Sequence, residues 1–90
     1  MGTAELKVPD GKLVEAKVKI SEGKIIEISI TGDFYMHPEE ELEELEEILL
    51  GISVEEVDDT VSKFFKKKHI TLVGVKPEDF AKVILMASNQ

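Results

Sequence analysis

The spacing of the apolar residues changes once along this chain, and the change limits the folds that the chain can adopt. Apolar and charged side chains alternate over residues 13–20, and a similar alternation covers residues 25–31. From Leu42 onwards the apolar residues recur every three or four positions. A period of two is typical of half-buried strands, and a period near 3.6 is typical of amphipathic helices. The chain is therefore predicted to form strands first and helices afterwards, which is the order of an α+β fold.

Three strands are predicted in the first third of the chain, over residues 5–8, 13–20 and 25–31. Short turns at residues 9–12 and 21–23, each with a glycine, separate them. Connections this short join neighbouring antiparallel strands, so the three strands are predicted to form a meander. The side chains predicted to face the core from the second and third strands are Val14, Ala16, Val18, Ile20, Ile26, Ile28 and Ile30.

Three helices are predicted in the rest of the chain. The first begins with Pro38 at the first helical position and ends at Gly51. A capping box that starts at Ser53 opens the second, and Pro77 opens the third. Residues 70–75 are predicted to be a short strand or an extended connector. The helices are expected to pack on one face of the meander through three apolar stripes: Leu42, Leu45, Ile48 and Leu49; Val57, Val61, Phe64 and Phe65; Phe80, Val83, Ile84 and Ala87.

Length and composition exclude several classes of function. Ninety residues are expected to form one domain, 1–90, with an ordered core over about 5–87. The absence of cysteine removes disulfides, thiolate metal sites and thiol catalysis. All 11 basic residues are lysines, and without the guanidinium group that commonly reads phosphate and guanine, nucleic-acid binding is not expected. No apolar run approaches the roughly 20 residues of a membrane span, and no signal peptide is evident, so a cytoplasmic protein without membrane contact is expected.

The charge is concentrated in the middle of the chain. Residues 33–60 hold twelve acidic residues and no lysine, whereas residues 61–90 hold six lysines and two acidic residues. This region is interpreted either as a solvated helix face or as an electrostatic field that orients a partner. Glu40, Glu44 and Glu47 could share a helix face, but a straight helix does not supply the converging oxygen ligands that hard cations require. No metal site is predicted.

No catalytic residue is predicted. None of the five serines lies in a glycine-flanked elbow, and the chain has no glycine-rich phosphate loop. His37 could reach Asp33, which leaves a small hydrolase as an alternative. Its position directly before Pro38, however, indicates a helix cap or an interface contact more than a general base.

Residues 32–38, called the junction below, link the last predicted strand to the first predicted helix. Here Phe34, Tyr35 and Met36 place three large apolar groups together where a connection is normally polar. Two interpretations remain open from the residues alone. The aromatic side chains form a hydrophobic staple against the first helix, or they form an exposed anchor for a partner.

The motifs and their order resemble the C-terminal accessory domain of lipoate–protein ligases over about residues 5–87. The resemblance rests on Gly11-Lys12-Leu13-Val14, Glu22-Gly23-Lys24-Ile25, Gly32-Asp33-Phe34-Tyr35 with Pro38-Glu39, Leu42-Glu43-Glu44-Leu45, and Val73-Gly74-Val75-Lys76-Pro77-Glu78-Asp79-Phe80-Ala81. Because this domain begins at its own Met1, it is similar to the arrangement in which the accessory domain is a separate gene product beside a catalytic chain.

The resemblance implies an accessory subunit that does not catalyse alone. In the family the catalytic chain binds lipoate, ATP and Mg²⁺, forms lipoyl-AMP and transfers the lipoyl group to a lysine of a lipoyl domain. The adenylate-binding motifs belong to that chain, so no cofactor is expected here. The implied partners are the catalytic chain and, indirectly, the lipoyl-domain acceptor proteins. The implied partner-binding residues are Asp33, Phe34, Tyr35 and His37.

The resemblance also implies a fold like that of iron–sulfur scaffold and sulfur-acceptor proteins, whose chemistry needs cysteines that this chain lacks. The alternative function is an acidic protein-interaction module unrelated to lipoate. Its binding element would be the glutamate-rich helix over residues 39–47.

Overall fold

The computed structural model describes residues 1–89 and has the predicted α+β architecture. It contains a three-stranded sheet, a two-stranded ribbon and three α-helices, the second of which is preceded by a short 3-10 turn at Val54–Glu56. The elements are β1 Gly2–Lys7, β2 Leu13–Ser21, β3 Lys24–Gly32, β4 Tyr35–His37, α1 Glu40–Leu49, α2 Val57–Lys66, β5 Thr71–Val73 and α3 Pro77–Ser88.

The sheet is the predicted antiparallel meander, in the order β1-β2-β3. Ala4 lies opposite Ala16, which lies opposite Ile30, so buried apolar side chains form a row across the sheet. Val14, Ala16 and Val18 are buried, as the alternation of β2 predicts. The other face of β2 carries charged groups such as Lys17 and Lys19, which are exposed. The sheet therefore buries one face and exposes the other to water.

The alternation predicted for β3 is wrong at the start of the strand. Lys19 pairs with Glu27 but Ile20 pairs with Ile25, so Ile26 is an extra residue in a β-bulge. The bulge shifts the pattern by one position, and as a result Ile25 is fully buried whereas Ile26 is 47% exposed. Ile30 is buried and Ile28 is half-buried, as predicted.

The three helices cover one face of the sheet in two layers. Helix α3 packs on β1 and β2, and α1 packs on β3. Helix α2 packs mainly on α3 and lies farther from the sheet than α1 and α3 do. The largest fully buried side chains are Phe80, Ile25, Leu45, Leu49 and Ile84. No helix within residues 1–89 is long and apolar enough to span a bilayer.

The predicted helix start is correct for α3 and displaced for α1, and the predicted capping box opens the 3-10 turn Val54–Glu56 that leads into α2. Ser53 N–H donates to Glu56 Oε1 at 3.3 Å, which confirms the capping box. Helix α3 begins at Pro77 as predicted. Helix α1 begins at Glu40, two residues after the predicted start, because residues 38 and 39 form a turn: Glu41 N–H donates to Pro38 C=O at 3.2 Å and Leu42 N–H donates to Glu39 C=O at 3.1 Å. Ile48, predicted to be buried, is on the exposed side of α1.

The open choice for residues 70–75 is resolved in favour of a short strand, and its partner, β4, is a strand that the sequence analysis did not predict. Residues 71–73 form β5, which pairs antiparallel with β4: Tyr35 lies opposite Val73, Met36 opposite Leu72 and His37 opposite Thr71. The strands have three residues each, too few to produce a recognisable period of two. The junction is therefore half of a β-ribbon, and it leads into α1 from there.

The outer edge of β3 is closed by groups from α1 and the segment after it. Gly51 N–H donates to Ile25 C=O at 2.8 Å, and Ile25 N–H donates to Ile52 C=O at 3.0 Å. Farther along, Ile30 N–H donates to Glu46 Oε2 at 2.7 Å. An edge strand with free backbone groups is a template for unwanted pairing, so these bonds protect the sheet on this side.

We expect Glu46→Ala to lower the free energy of unfolding by about 1–2 kcal/mol, because it leaves the partly buried Ile30 N–H without its charged acceptor. Glu46→Gln retains an acceptor oxygen and should cost less. Glu47→Ala, at the exposed neighbouring position, is the control and should change the value by no more than about 0.5 kcal/mol. Urea unfolding measures all three, and equal losses for Glu46→Ala and Glu47→Ala would contradict a role for this hydrogen bond.

Candidate functional site

The junction is held to the start of β2 by a pair of hydrogen bonds. Leu13 N–H donates to Asp33 Oδ1 at 2.7 Å, and Asp33 N–H donates to Leu13 C=O at 3.2 Å. A side chain at Gly32 would collide with the Leu13 carbonyl oxygen and lie 2.8 Å from Phe34 Cδ2. Glycine is required here because the backbone of β2 and the ring of Phe34 both approach closely. The Asp33 carboxylate therefore has a structural role in shaping the junction.

Phe34 points into the molecule. Its ring meets the ring of Phe80 edge-on, with centroids 5.1 Å apart and an interplanar angle of 86°. Phe80 is fully buried and also stacks on Phe65 at 5.6 Å. Such aromatic contacts stabilise a core beyond the area that they bury. Of the two interpretations left open for the junction, the staple therefore describes Phe34, although the ring packs on α3 rather than on the predicted first helix.

Tyr35 and His37 point the other way, since they are separated by two positions on β4 and thus share a face. Their rings are parallel within 10°, with centroids 6.5 Å apart. Tyr35 is 53% exposed and Val73, directly opposite on β5, is 54% exposed. Met36, between the two rings in sequence, is buried. We call the exposed face of the ribbon the aromatic platform; it consists of Tyr35, His37, Thr71 and Val73.

A shallow groove of about 350 Å³ runs beside the aromatic platform. Tyr35 forms one wall, Phe34 and Leu42 contribute apolar surface, and Glu39 adds a carboxylate. The groove is open to solvent, so it cannot surround a small substrate in the way that enclosed ligand sites do. Its shape suits a side chain or a backbone segment presented by another protein.

The two groups proposed for a hydrolase are engaged separately. Asp33 accepts the Leu13 N–H, and His37 stacks on Tyr35. No hydrogen bond joins His37 to Asp33 within the described part of the chain. A general base needs an orienting partner, and residues 1–89 provide no hydrogen-bonded one for His37. The geometry does not support the hydrolase alternative.

The acidic face of α1 is partly neutralised by a lysine from the end of α2. Lys68 Nζ lies 3.1 Å from Glu41 Oε1 and 2.7 Å from Glu44 Oε2. The hydrogen bond with Glu41 and then that with Lys68 lower the pKa of Glu44 from its ordinary value of 4.5. The bonds to Glu44 and Glu41 raise the pKa of Lys68 above 10.5. Among residues 1–89, no three histidine, aspartate or glutamate side chains are arranged to hold a metal ion.

The stabilisation from the ionic cluster of Lys68, Glu41 and Glu44 should depend on pH in a defined direction. Because the pKa of Glu44 is lowered in the folded state, its contribution is complete above 4.5 and is lost as the pH falls through the folded-state value. The contribution of Lys68 is complete below 10.5 and is lost as the pH rises through its raised value. The cluster is therefore fully formed across the neutral range.

We expect Lys68→Met to lower the melting temperature at neutral pH, and we expect the difference from the parent protein to shrink well below pH 4.5. Thermal unfolding followed by circular dichroism at both pH values measures it. Lys66→Met, at the exposed last residue of α2, is the control. A difference that stays constant with pH for Lys68→Met would show that the ion pair is not its cause.

Two members of the aromatic platform, Thr71 and Val73, were not anticipated as site residues. Both become part of the site only because β5 pairs with β4, and nothing in the local pattern indicates that pairing. Val73 does belong to one of the motifs behind the family resemblance, which is the one signal that pointed to this segment.

Comparisons with known proteins agree on one family. The family model described as the C-terminus of bacterial lipoate protein ligase matches residues 4–84. Lipoate-protein ligase A subunit 2 of Thermoplasma acidophilum is 41% identical over 58 residues, which make up 64% of this chain and 61% of that relative. A chain from the structural analysis of an archaeal lipoylation system, a bi-partite lipoate protein ligase and its E2 lipoyl domain from the same organism, matches with a TM-score of 0.84. It is 30% identical, and the match covers 91% of each chain.

Proposed function

The chain belongs to the family of the bacterial lipoate protein ligase C-terminus, and from this premise we propose that it is the accessory subunit of a two-chain lipoate–protein ligase. In this proposal it binds the catalytic chain as a heterodimer in the cytoplasm and supports the ATP-dependent activation of lipoate to lipoyl-AMP. The catalytic chain holds lipoate, ATP and Mg²⁺. It then transfers the lipoyl group to a lysine of a lipoyl domain. The similarity to a chain of a bi-partite ligase system supports this assignment.

The aromatic platform is the observation that carries the proposal. Exposed Tyr35 and His37 stack on each other on a ribbon whose pairing holds them in place, with Val73 exposed beside them. Tyrosine is enriched in the parts of interfaces that contribute most binding free energy, because it buries a large area and loses little conformational entropy. An exposed aromatic cluster on a hydrogen-bonded ribbon fits a docking surface better than an active site.

The charge beside the aromatic platform indicates what the partner surface should look like. Glu39 lines the adjacent groove, and Glu40 and Glu43 follow on α1. None of these three forms an ion pair within residues 1–89. We therefore expect the facing surface of the catalytic chain to be basic, which would speed the encounter of the two chains.

The test mixes this chain with a lipoate-binding catalytic chain, lipoate and ATP, and measures the rate of lipoyl-AMP formation. We expect the rate to rise when the chain is added, and an equal rate with and without it would refute the proposed function. Binding that falls steeply with salt and that Tyr35→Ala leaves unchanged would favour the alternative, an acidic interaction module unrelated to lipoate. The likeness to iron–sulfur scaffold proteins stays a prediction and has no part in the proposal.

A further inference from the structure

The two edges of the three-stranded sheet differ in whether other parts of the chain cover their backbone groups. Glu46 and the segment after α1 close the outer edge of β3. The outer edge of β1 has no such cover. No hydrogen bond from residues 1–89 reaches its outward backbone groups. The strand is six residues long and has no proline or bulge of its own, which are two of the features that commonly block pairing at an edge.

The hydrogen-bond pattern identifies the free backbone groups. Val8 N–H donates to Lys12 C=O at 3.1 Å, so the even-numbered residues of β1 bond to β2. The N–H and C=O groups of Thr3, Glu5 and Lys7 therefore point away from the sheet. A second strand placed along this edge could form backbone hydrogen bonds with these three alternate residues.

The side chains near this edge include two like charges that no cation of the described residues compensates. Glu5 lies directly opposite Glu15 on the exposed face of the sheet, and like charges in that relation repel. Glu5 forms no ion pair within the described residues, and the contact of Glu15 is with the Thr31 hydroxyl at 3.3 Å. A cation from an added strand, placed opposite Glu5, would relieve this repulsion.

We propose that β1 pairs antiparallel with β1 of a second copy of this chain, so that two sheets join into one of six strands. The register that satisfies the charges places Glu5 opposite Lys7 of the second copy, and Lys7 opposite Glu5 of that copy. On the other face it places Leu6 opposite Leu6 of the second copy, and Leu6 is half-buried in the single chain. The arrangement is two-fold symmetric, as an isologous dimer must be.

Two further observations favour a second copy as the occupant. A shift of the register by two residues would place Glu5 opposite Glu5 and align four carboxylates in a row, so charge selects one pairing. Residues 1–32 carry five lysines and five acidic residues, whereas the acidic helix α1 packs at the opposite edge, on β3. The β1 edge can therefore approach its copy while the acidic helices stay far apart. Lys7 Nζ lies 3.3 Å from Gly11 C=O in an exposed contact that it can exchange for Glu5 of the second copy.

Analytical ultracentrifugation of the chain alone, from micromolar to millimolar concentration at fixed ionic strength, tests the proposal without the catalytic chain. We expect a monomer–dimer equilibrium. Glu5→Lys and Lys7→Glu should each weaken it by about tenfold, since each replaces two attractive cross-strand pairs by repulsive ones. The double variant Glu5→Lys with Lys7→Glu should restore the parental affinity. Glu5→Lys should also raise the melting temperature of the dilute monomer, because the new lysine faces Glu15. Weaker dimerisation together with a more stable monomer would show that the variant loses strand pairing between copies and not its own fold.

Glu47→Lys is the charge-matched control, because it makes the same change in net charge at an exposed position of α1, which packs at the opposite edge of the sheet. Monomers at every concentration, equal weakening by Glu5→Lys and Glu47→Lys, or a double variant that fails to restore association would each overturn the proposal. If Glu5→Lys instead weakens binding to the catalytic chain while the small chain stays monomeric, the β1 edge belongs to that partner and the second copy is refuted. These outcomes leave the proposed function standing.

Discussion

Tyr35→Ala is expected to weaken binding to the catalytic chain by about 30-fold, the loss of about 2 kcal/mol that is typical of an interface hot spot. The free energy of unfolding should change by no more than about 0.5 kcal/mol. Both expectations follow from the position of the side chain, which is 53% exposed on the aromatic platform and stacks on His37. Titration calorimetry with the catalytic chain measures the first, and urea unfolding of the isolated chain measures the second.

Phe34→Ala, at the neighbouring position, should give the opposite combination. Its ring packs edge-on against buried Phe80, so the variant should lose about 2–3 kcal/mol of unfolding free energy. Any loss of affinity should follow from the destabilised fold and should be recovered at lower temperature. The two variants thus divide the junction into a packing residue and a docking residue.

Ile26→Ala is the matched control for both, because Ile26 is a large apolar side chain, 47% exposed, near the start of β3, whereas the junction follows its end. It should change neither affinity nor stability appreciably. Equal losses of affinity for Tyr35→Ala and Ile26→Ala would argue against the aromatic platform as the docking surface. Loss of the fold in Tyr35→Ala would show that its ring has a packing role that its exposure does not suggest.

Gly11→Ala is expected to lower the free energy of unfolding by about 2–3 kcal/mol, which is large for one added methyl group. A side chain at Gly11 would collide with the carbonyl oxygen of Gly74, which also accepts the Lys12 N–H at 2.9 Å. The β1–β2 turn and the loop between β5 and α3 would have to separate, and this hydrogen bond would be lost. Such a loss is a large fraction of the total stability of a domain, which is typically about 5–15 kcal/mol.

Gly23→Ala provides the comparison for this prediction. Gly23 has a φ of +78°, and nothing lies within 4 Å of the added carbon. The variant should therefore show only the conformational cost of a non-glycine residue in that region, about 1 kcal/mol. Urea unfolding of both variants gives the two losses. If Gly11→Ala costs no more than Gly23→Ala, the turn and the loop are free to move apart and their contact does not stabilise the fold.

The pair Gly11 and Gly74 also explains two of the motifs behind the family resemblance. Gly11 opens the first of them and Gly74 lies in the last, some sixty residues apart in sequence. In the structure the two motifs meet where Lys12 N–H donates to Gly74 C=O. Their glycines are accounted for by the packing of the turn against the loop, so neither motif needs a catalytic role.

Much of the fold could be predicted from local signals in the sequence. The alternation over residues 13–20 predicts which side of β2 is buried, and the Ser53 capping box and Pro77 predict where the later helices begin. Each of these features depends on residues within a few positions of one another. The interactions that stabilise these features are therefore between near neighbours, and the local sequence pattern is enough to predict them.

Other features could not be predicted because they depend on residues far apart in the chain. Whether Ile25 or Ile26 faces the core is decided by a bulge against β2 and by backbone bonds to residues 51 and 52. The strand β4 exists because β5, more than thirty residues later, supplies its hydrogen bonds. Three-residue strands have no period of their own, and their stability comes from that distant pairing.

For the functional site, the sequence by itself determined that large aromatic residues gather at the junction, that the chain lacks the thiols and phosphate loops of common active sites, and to which family it belongs. Only the tertiary structure decided how the junction is divided. Phe34 turns inward because Phe80 offers a buried ring, and Asp33 turns toward the Leu13 N–H. Tyr35 and His37 are left outside because pairing with β5 places them on the outer face of the ribbon. A side chain's direction is determined by its contacts, and in this junction nearly all of those contacts come from distant parts of the chain.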